Sequence, residues 1–265
     1  MRKIQPGWAY IIGAGPGDPE LLTIRGMQVL KSADTVVYAD SLVNSEILEY
    51  CRPEARLWTS SDRNLDEIIS LIVAAIQEDH VVARVHSGDP AVYGAITEQM
   101  RRLQMCNIPF EIIPGVSSVN AAAGRIQREL TVPGVSQTVI LTRVEGRASP
   151  VPKGGSLSEL ARHPATLVIF LSAALANKVT RELLEAGYEE SDLLIVAYKV
   201  GWSDEKIIET TVKNLAQDLR RHKIYRHALI LAGQAIEPTL RDTRSRLYDP
   251  EFSHLFRHDL QDGGP

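Results

Sequence analysis

The sequence predicts an α/β protein of two domains: a parallel α/β domain over residues 1–115 and a mixed-sheet α/β domain over residues 116–265. Three observations carry this. Through the first half, short apolar runs alternate with amphipathic helical patterns, as in a parallel sheet whose crossovers are helices. The runs end in loops rich in Gly, Pro, Asp and Ser, which are turn and cap residues. In the second half, Glu205–Val212 follows the apolar run Leu193–Lys199 with almost no crossover, so it should pair antiparallel with a neighbour.

Ala9–Ile12 is the first strand, and it runs into Gly13-Ala14-Gly15-Pro16-Gly17-Asp18-Pro19. Thr23–Ser32 is a helix with Ile24, Met27, Val29 and Leu30 on or near its buried face. Thr35–Tyr38 is a second strand with Asp40 just past its end, and a helix over Asn44–Tyr50 follows. Arg56–Thr59 reads as an edge strand. Leu65–Gln77 carries Leu65, Ile68, Ile69, Ile72, Val73 and Ile76 at the spacing of a strong amphipathic helix. Val81–Val85 is a buried strand. It breaks at His86-Ser87-Gly88-Asp89-Pro90, where Asp89 and Pro90 look like an N-cap and a first helical residue, with Ala91–Leu103 continuing as helix. Phe110–Ile113 is a fifth strand, ending at Pro114-Gly115. Ser117–Arg128 is a helix of small residues, and Thr131-Val132-Pro133-Gly134 breaks the chain.

The second half restarts with strand Gln137–Thr142 and a loop rich in Arg, Gly and Pro over 143–155. Leu157–Arg162 is helical, Thr166–Leu171 a buried strand, and Ala174–Ala186 a helix that Gly187 stops. Strands Leu193–Lys199, Glu205–Val212 and Ala228–Ala232 follow, with helix Leu215–His222 between the last two. The tail from Glu237 is polar and mixed.

Composition narrows the function classes. The 265 residues are 44% hydrophobic and 23% charged, ordinary for a globular protein with a real core. A net charge of −4 gives no electrostatic case for nucleic acid, although basic residues can still cluster locally. No apolar run is long enough to cross a membrane, and the first residues lack a cleavable apolar segment, so no membrane partner and a cytoplasmic location are expected. Cys51 and Cys106 are too few for a disulfide framework or a thiolate metal site. His254 and His258 stand four apart but lack a third ligand, and no protein-bound metal is expected.

The candidate site lies where strands end and loops begin, since small ligands bind at the carboxyl ends of strands in open α/β sheets. Gly88 permits a backbone conformation or close approach that a Cβ would forbid. The glycines at 13, 15 and 17 would also let backbone lie against a ligand. They are not the dinucleotide fingerprint, because its third glycine would fall on Asp18. A nicotinamide-dependent oxidoreductase is therefore the weaker alternative. Asp40 is a site residue, the cap of the helix over Asn44–Tyr50, or an acceptor for neighbouring amides in an Asx turn.

These stretches resemble the tetrapyrrole methylase family, which transfers methyl groups from S-adenosylmethionine. The matching pieces are YIIGAGPGDPELLT at 10–23, SADTVVYADSLV at 32–43, RVHSGDPAVYGAITEQM at 84–100 and IIPGVSSVNAAAG at 112–124. A second set is similar to one branch of that family, which methylates precorrins in cobalamin biosynthesis. It comprises QTVILTRVEGRASPVP at 137–152, YKVGWSDEKIIETTVKNL at 198–215, ILAGQAI at 230–236 and SRLYDPEFSHLFR at 245–257. Departures are slight: a few extra residues lead into the first strand, and Gly154-Gly155 lengthens the loop after the first strand of the second domain.

The resemblance implies two α/β domains of the tetrapyrrole methylase type with the active-site cleft between them, and a homodimer. It implies S-adenosylmethionine as cofactor, leaving as S-adenosylhomocysteine, and a precorrin or cobalt-precorrin tetrapyrrole as substrate. Carried over residue by residue, the cofactor positions are Pro16, Ser87, Gly88, Asp89, Val92, Ser117, Ser118, Leu171, Tyr198, Val200, Ala228 and Ala232. In-line methyl transfer needs alignment more than a nucleophilic side chain. If a proton must be removed, Asp40, His86, Asp89 and Tyr93 all sit at or near the expected cleft, with Asp40, Asp89 and Tyr93 taken as the catalytic candidates. The substrate carries many carboxylates, which arginine forks suit. Arg84, His86, Arg143 and Arg147 are the substrate-binding candidates, with Arg125 and Arg128 also in view.

Overall fold

The structure, a computed structural model, describes residues 3–146, 150–237 and 252. Ten strands are described: β1 (Ala9–Gly13), β2 (Thr35–Tyr38), β3 (Arg56–Thr59), β4 (Val82–His86), β5 (Phe110–Ile113), β6 (Val139–Arg143), β7 (Thr166–Phe170), β8 (Leu193–Tyr198), β9 (Lys206–Thr211) and β10 (Ala228–Ala232). The helices are α1 (Ile24–Ser32), α2 (Leu65–Gln77), α3 (Ile96–Met105), α4 (Ser118–Ile126), α5 (Leu157–Leu160), α6 (Ala176–Ala186) and α7 (Leu215–Arg221). The expected mixed α/β class with two sheets is what the chain adopts.

The chain divides into two compact units: Met1–Ile126 with Ala197–Ile207, and Gln127–Val196 with Ile208–Pro265. The sequence pattern puts the division between residues 115 and 116, whereas here α4 and a segment from late in the chain group with the first unit.

In the first unit the strand order is β3-β2-β4-β1-β5, and every pairing is parallel. Successive side chains of a strand point to opposite faces, and two cores result. Tyr10, Ile12, Val36, Ala83 and Val85 pack with Val29 and Leu30 of α1 and with Ile47 of the 3₁₀ turn Ser45–Tyr50. Ala9, Ile11, Val37 and Val82 pack on the other face with Ile68, Ile69 and Ile72 of α2 and Leu103 of α3. Helix α2 starts with a reciprocal cap, Asn64 with Glu67, which satisfies two otherwise orphaned donors.

Three sequence expectations change. Ile24 is 71% exposed, because Gly26 rather than Ile24 lies under the sheet. The segment 44–50 forms a 3₁₀ turn, not an α-helix. The helix expected from Ala91 begins only at Ile96, since Tyr93 (φ 56°) and Ala95 (φ 50°) adopt left-handed backbone between it and Asp89-Pro90.

In the second unit the order is β6-β7-β10-β8-β9. β6 and β7 are parallel, and β10 runs antiparallel to β7, placing Ala232 opposite Leu167. Helix α6 packs against α5 and α7, and Gly187 ends it with φ 104°.

Candidate functional site

At the carboxyl ends of β1, β4 and β5, three loops touch through glycines. Gly15 and Gly88 exchange backbone hydrogen bonds, with Gly88 N–H donating to the Gly15 carbonyl at 2.7 Å and Gly15 N–H to the Gly88 carbonyl at 3.2 Å. A Cβ on Gly13 would stand 2.6 Å from the Gly115 backbone and from the Gly88 carbonyl oxygen. Gly88 itself has φ 62°, and a Cβ there would meet only the Ser118 N–H, at 3.8 Å. Neighbouring backbone therefore fills the Cβ positions of Gly13 and Gly115, while the Cβ position of Gly88, itself buried, has room and meets only the start of α4 at an ordinary contact distance. Ser87, Ser117 and Ser118, all half-buried, belong to the loops that meet here.

Asp89 holds this arrangement together. One carboxylate oxygen accepts from Ala91 N–H at 2.8 Å and the other from Gly115 N–H at 3.0 Å. Both oxygens are thus engaged by backbone donors, and through them Asp89 ties its own turn to the loop after β5. Val92 is half-buried in the turn that follows, and Tyr93 is 44% exposed.

Asp40 stands at the end of β2, where the Tyr38↔Thr59 pairing brings it beside the residues that follow β3. Its Oδ1 accepts from the N–H groups of Ser60 (3.2 Å) and Ser61 (3.0 Å), and its Oδ2 accepts from Ser61 Oγ at 2.7 Å. These donors, the Ser61 hydroxyl first, hold its carboxyl below the usual aspartate range. Arg84 is buried on the α2–α3 face. Its Nε donates to Gln99 Oε1 at 3.1 Å, and Nη1 donates to Ser60 Oγ (3.1 Å) and the Val37 carbonyl (3.3 Å). Burial draws its pKa down to about 10, so it stays a cation at neutral pH. His86 is also buried, and its Nε2 has no hydrogen-bond partner. Burial first, then the Arg84 charge, pushes its pKa down to about 3.

Segment 197–207 closes over the first loop of the same unit. The Trp202 ring lies against Gly17, leaving no room for a Cβ there, and its Nε1 donates to the Pro16 carbonyl at 3.1 Å. Glu205 accepts from Gly201 N–H at 2.7 Å and pairs with Arg125 of α4 at 3.1 Å. Tyr198 is half-buried and Val200 buried on this segment.

In the second unit, Leu171 follows β7 with φ 52° and is 67% exposed, whereas Ala228 and Ala232, the ends of β10, are buried. Arg143 turns its guanidinium onto its own loop, donating to the carbonyls of Val144 (3.4 Å) and Pro150 (3.3 Å). Arg147 lies outside the described residues. Among the described residues, no three His, Cys, Asp or Glu side chains are grouped as metal ligands, and no helix is long and apolar enough to cross a membrane.

The profile of the Tetrapyrrole (Corrin/Porphyrin) Methylases matches residues 9–216, most of the chain, with the whole first sheet and four of the five strands of the second. The chain belongs to the tetrapyrrole methylases. A relative from Priestia megaterium, a cobalt-precorrin-4 C(11)-methyltransferase, is 48% identical over 254 residues, covering 95% of this methylase and 98% of that protein. A solved cobalt precorrin-4 methyltransferase, described as a cobalamin biosynthetic enzyme, superposes with a TM-score of 0.84 at 46% identity, covering 88% of this chain and 97% of its own. A uroporphyrin-III C-methyltransferase from Thermus thermophilus, solved with S-adenosylhomocysteine, gives a TM-score of 0.73 at 26% identity, with 87% and 93% covered.

Within the methylase, the structure brings Pro16, Ser87, Gly88, Asp89, Ser117 and Ser118 together at one end of the first sheet. Arg84 is placed under α3 rather than in open space. Sequence reasoning missed the Ser60-Ser61 contact with Asp40 and the Trp202 packing. Trp202 falls within a branch-specific stretch, but a tryptophan's partner across the sequence has no local signal. Trp202→Ala should lower the methylase's stability by about 2 kcal/mol, as expected for truncating a half-buried aromatic, a fall of about 4–8 °C in Tm. Hydrogen exchange should localise the loss to residues 13–18. Trp202→Phe, which removes the N–H and part of the ring against Gly17 but keeps an aromatic side chain, should cost less, about 1 kcal/mol.

Proposed function

We propose that this methylase transfers a methyl group from S-adenosylmethionine to carbon 11 of precorrin-4, with the cobalt-bound form as the first choice of acceptor. The observation that carries this reading is the near full-length similarity, at 48% identity, to a cobalt-precorrin-4 C(11)-methyltransferase. The glycine contacts of the first unit support the cofactor: Gly88, with room at its Cβ position beside the backbone N–H that opens α4, lets backbone lie close to an S-adenosyl compound. Gly88, Ser87, Ser117 and Ser118 would hold it there, with Pro16, Val92, Tyr198 and Val200 nearby in the same unit. For Leu171, Ala228 and Ala232 the support is the family resemblance alone.

When bound, the cofactor supplies an electrophilic sulfonium methyl; the ring carbon gains it, S-adenosylhomocysteine remains, and the macrocycle gives up one proton. The chain's part is alignment, exclusion of water and reception of that proton. We take Asp40, ionised at neutral pH, as that acceptor, because its Oδ2 accepts from a side-chain hydroxyl, whereas each Asp89 oxygen accepts from a backbone N–H.

S-adenosylhomocysteine at a hundred times its Kd should stabilise the protein by about 2.7 kcal/mol, and NADPH should leave the melting curve unchanged. Incubation with precorrin-4 and cobalt-precorrin-4 should give a product one methyl heavier, with NMR placing the methyl on carbon 11. A methyl on another ring carbon would make the chain a sibling methylase. A shift with NADPH alone would overturn the reading.

A further inference from the structure

We infer that Ser61, with Ser60 and Arg84 behind it, is the positioning group that aims the Asp40 carboxylate during methyl transfer. This rests on the C-methylation reading above and adds to it residues that act through Asp40.

Arg84 is the first clue. A buried guanidinium is costly unless an anion compensates it, and an apolar side chain of like volume would often be better tolerated. Among the described residues no carboxylate forms an ion pair with Arg84; its acceptors are the neutral Gln99, Val37 and Ser60 groups. The anion at the far end of this chain of contacts is Asp40, one residue away: Ser60 accepts from Arg84 with its hydroxyl and donates to Asp40 with its N–H. Arg84 in the middle of β4 is in this way tied to the residues that follow its neighbouring strands β2 and β3. Gln99 extends the tie to α3, the helix that follows the Gly88 loop.

Ser61 is the adjustable part. Oδ1 of Asp40 is held by two backbone donors that no side-chain change removes. Oδ2 is held by the Ser61 hydroxyl, and a carboxylate oxygen keeps acceptor capacity for a further donor. Ser61 thus fixes the rotation of the carboxylate about its Cβ–Cγ bond and leaves Oδ2 able to receive a proton. The charged groups nearby are Arg84, reached through Ser60, and Asp62 and Arg63 next along the chain. Arg63 is turned onto the Trp58 ring, 5.6 Å from its centroid, and the Thr59 carbonyl.

The test uses the full chain with both acceptors. Ser61 is exposed, so Ser61→Ala should fold. Its kcat should fall about tenfold, as for loss of one hydrogen bond to a charged group, with KM within about twofold. Loss of a donor to the ionised form raises the Asp40 pKa, so the acid limb of the kcat profile should move to higher pH. Ser61→Thr, which restores a hydroxyl, should recover both. Ser61→Ala should have no further effect in an Asp40→Asn background. A Ser61→Ala enzyme with wild-type kcat and acid limb, or one whose effect adds to that of Asp40→Asn, would overturn the inference. So would an Asp40→Asn enzyme as fast as wild type, leaving the methylation reading intact. A wild-type enzyme inactive on both acceptors would remove that reading and this inference with it.

Discussion

Taking the protein from pH 7 to pH 4 is expected to cost about 3 kcal/mol of stability through one side chain, His86. Burial holds its folded pKa at about 3, against 6.5 for a free histidine, and no acceptor or donor meets Nε2. The folded state therefore binds fewer protons than the unfolded state between those values. Stability is intact above about pH 6.5 and falls as pH drops toward 3, by about 1.4 kcal/mol per pH unit. Asp34 and Asp40 have depressed pKa values, so their contributions are lost as pH falls below the ordinary aspartate value of 3.8. The two windows barely overlap. Urea unfolding at pH 7, 5.5 and 4 should show the decline in the wild type and a nearly flat response in His86→Gln. A wild type as stable at pH 4 as at pH 7 would mean that the imidazole gains protons in place.

Gly13→Ala is expected to have an effect of similar size without any pH dependence. Its methyl would stand 2.6 Å from three backbone atoms of Gly115 and Gly88, so nothing flexible can move aside. Overpacking of this kind costs about 3 kcal/mol, a fall of about 6–12 °C in Tm. The loops at 13–17, 87–90 and 114–118 would be forced apart, and affinity for S-adenosylhomocysteine should drop by at least tenfold. Calorimetry on the folded variant decides it: unchanged affinity would mean that the three loops need not touch to bind. Gly124, where a Cβ would meet nothing within 4 Å, is the control.

The sheet of the first unit was legible because each strand is a short apolar run and each crossover a periodic helix; α2 matches its expected span, Leu65–Gln77, residue for residue. What could not be read was conformation set by long-range contact. Asp89-Pro90 has the local chemistry of a helix start, yet Asp89 spends its second oxygen on Gly115 N–H, 26 residues away, and the helix waits until Ile96. Ile24 fits the helical period but loses the buried place to Gly26, which admits the Ile12 side chain. At the site, glycines and serines at strand ends were visible as a pattern. That Arg84 points under α3 rather than toward a ligand depends on the strand's face, which the period of two alone leaves open.

The Trp202–Pro16 hydrogen bond joins residues 186 positions apart. On the ribosome, at roughly 5–20 residues per second, about 10–40 s separate their synthesis. Through that interval the nascent chain carries the full sequence of its first sheet but a glycine-rich loop still lacking its tryptophan lid. A chain cut after Ile126 would remain at that stage, because the remaining piece of the first unit, Ala197–Ile207, is encoded beyond the cut.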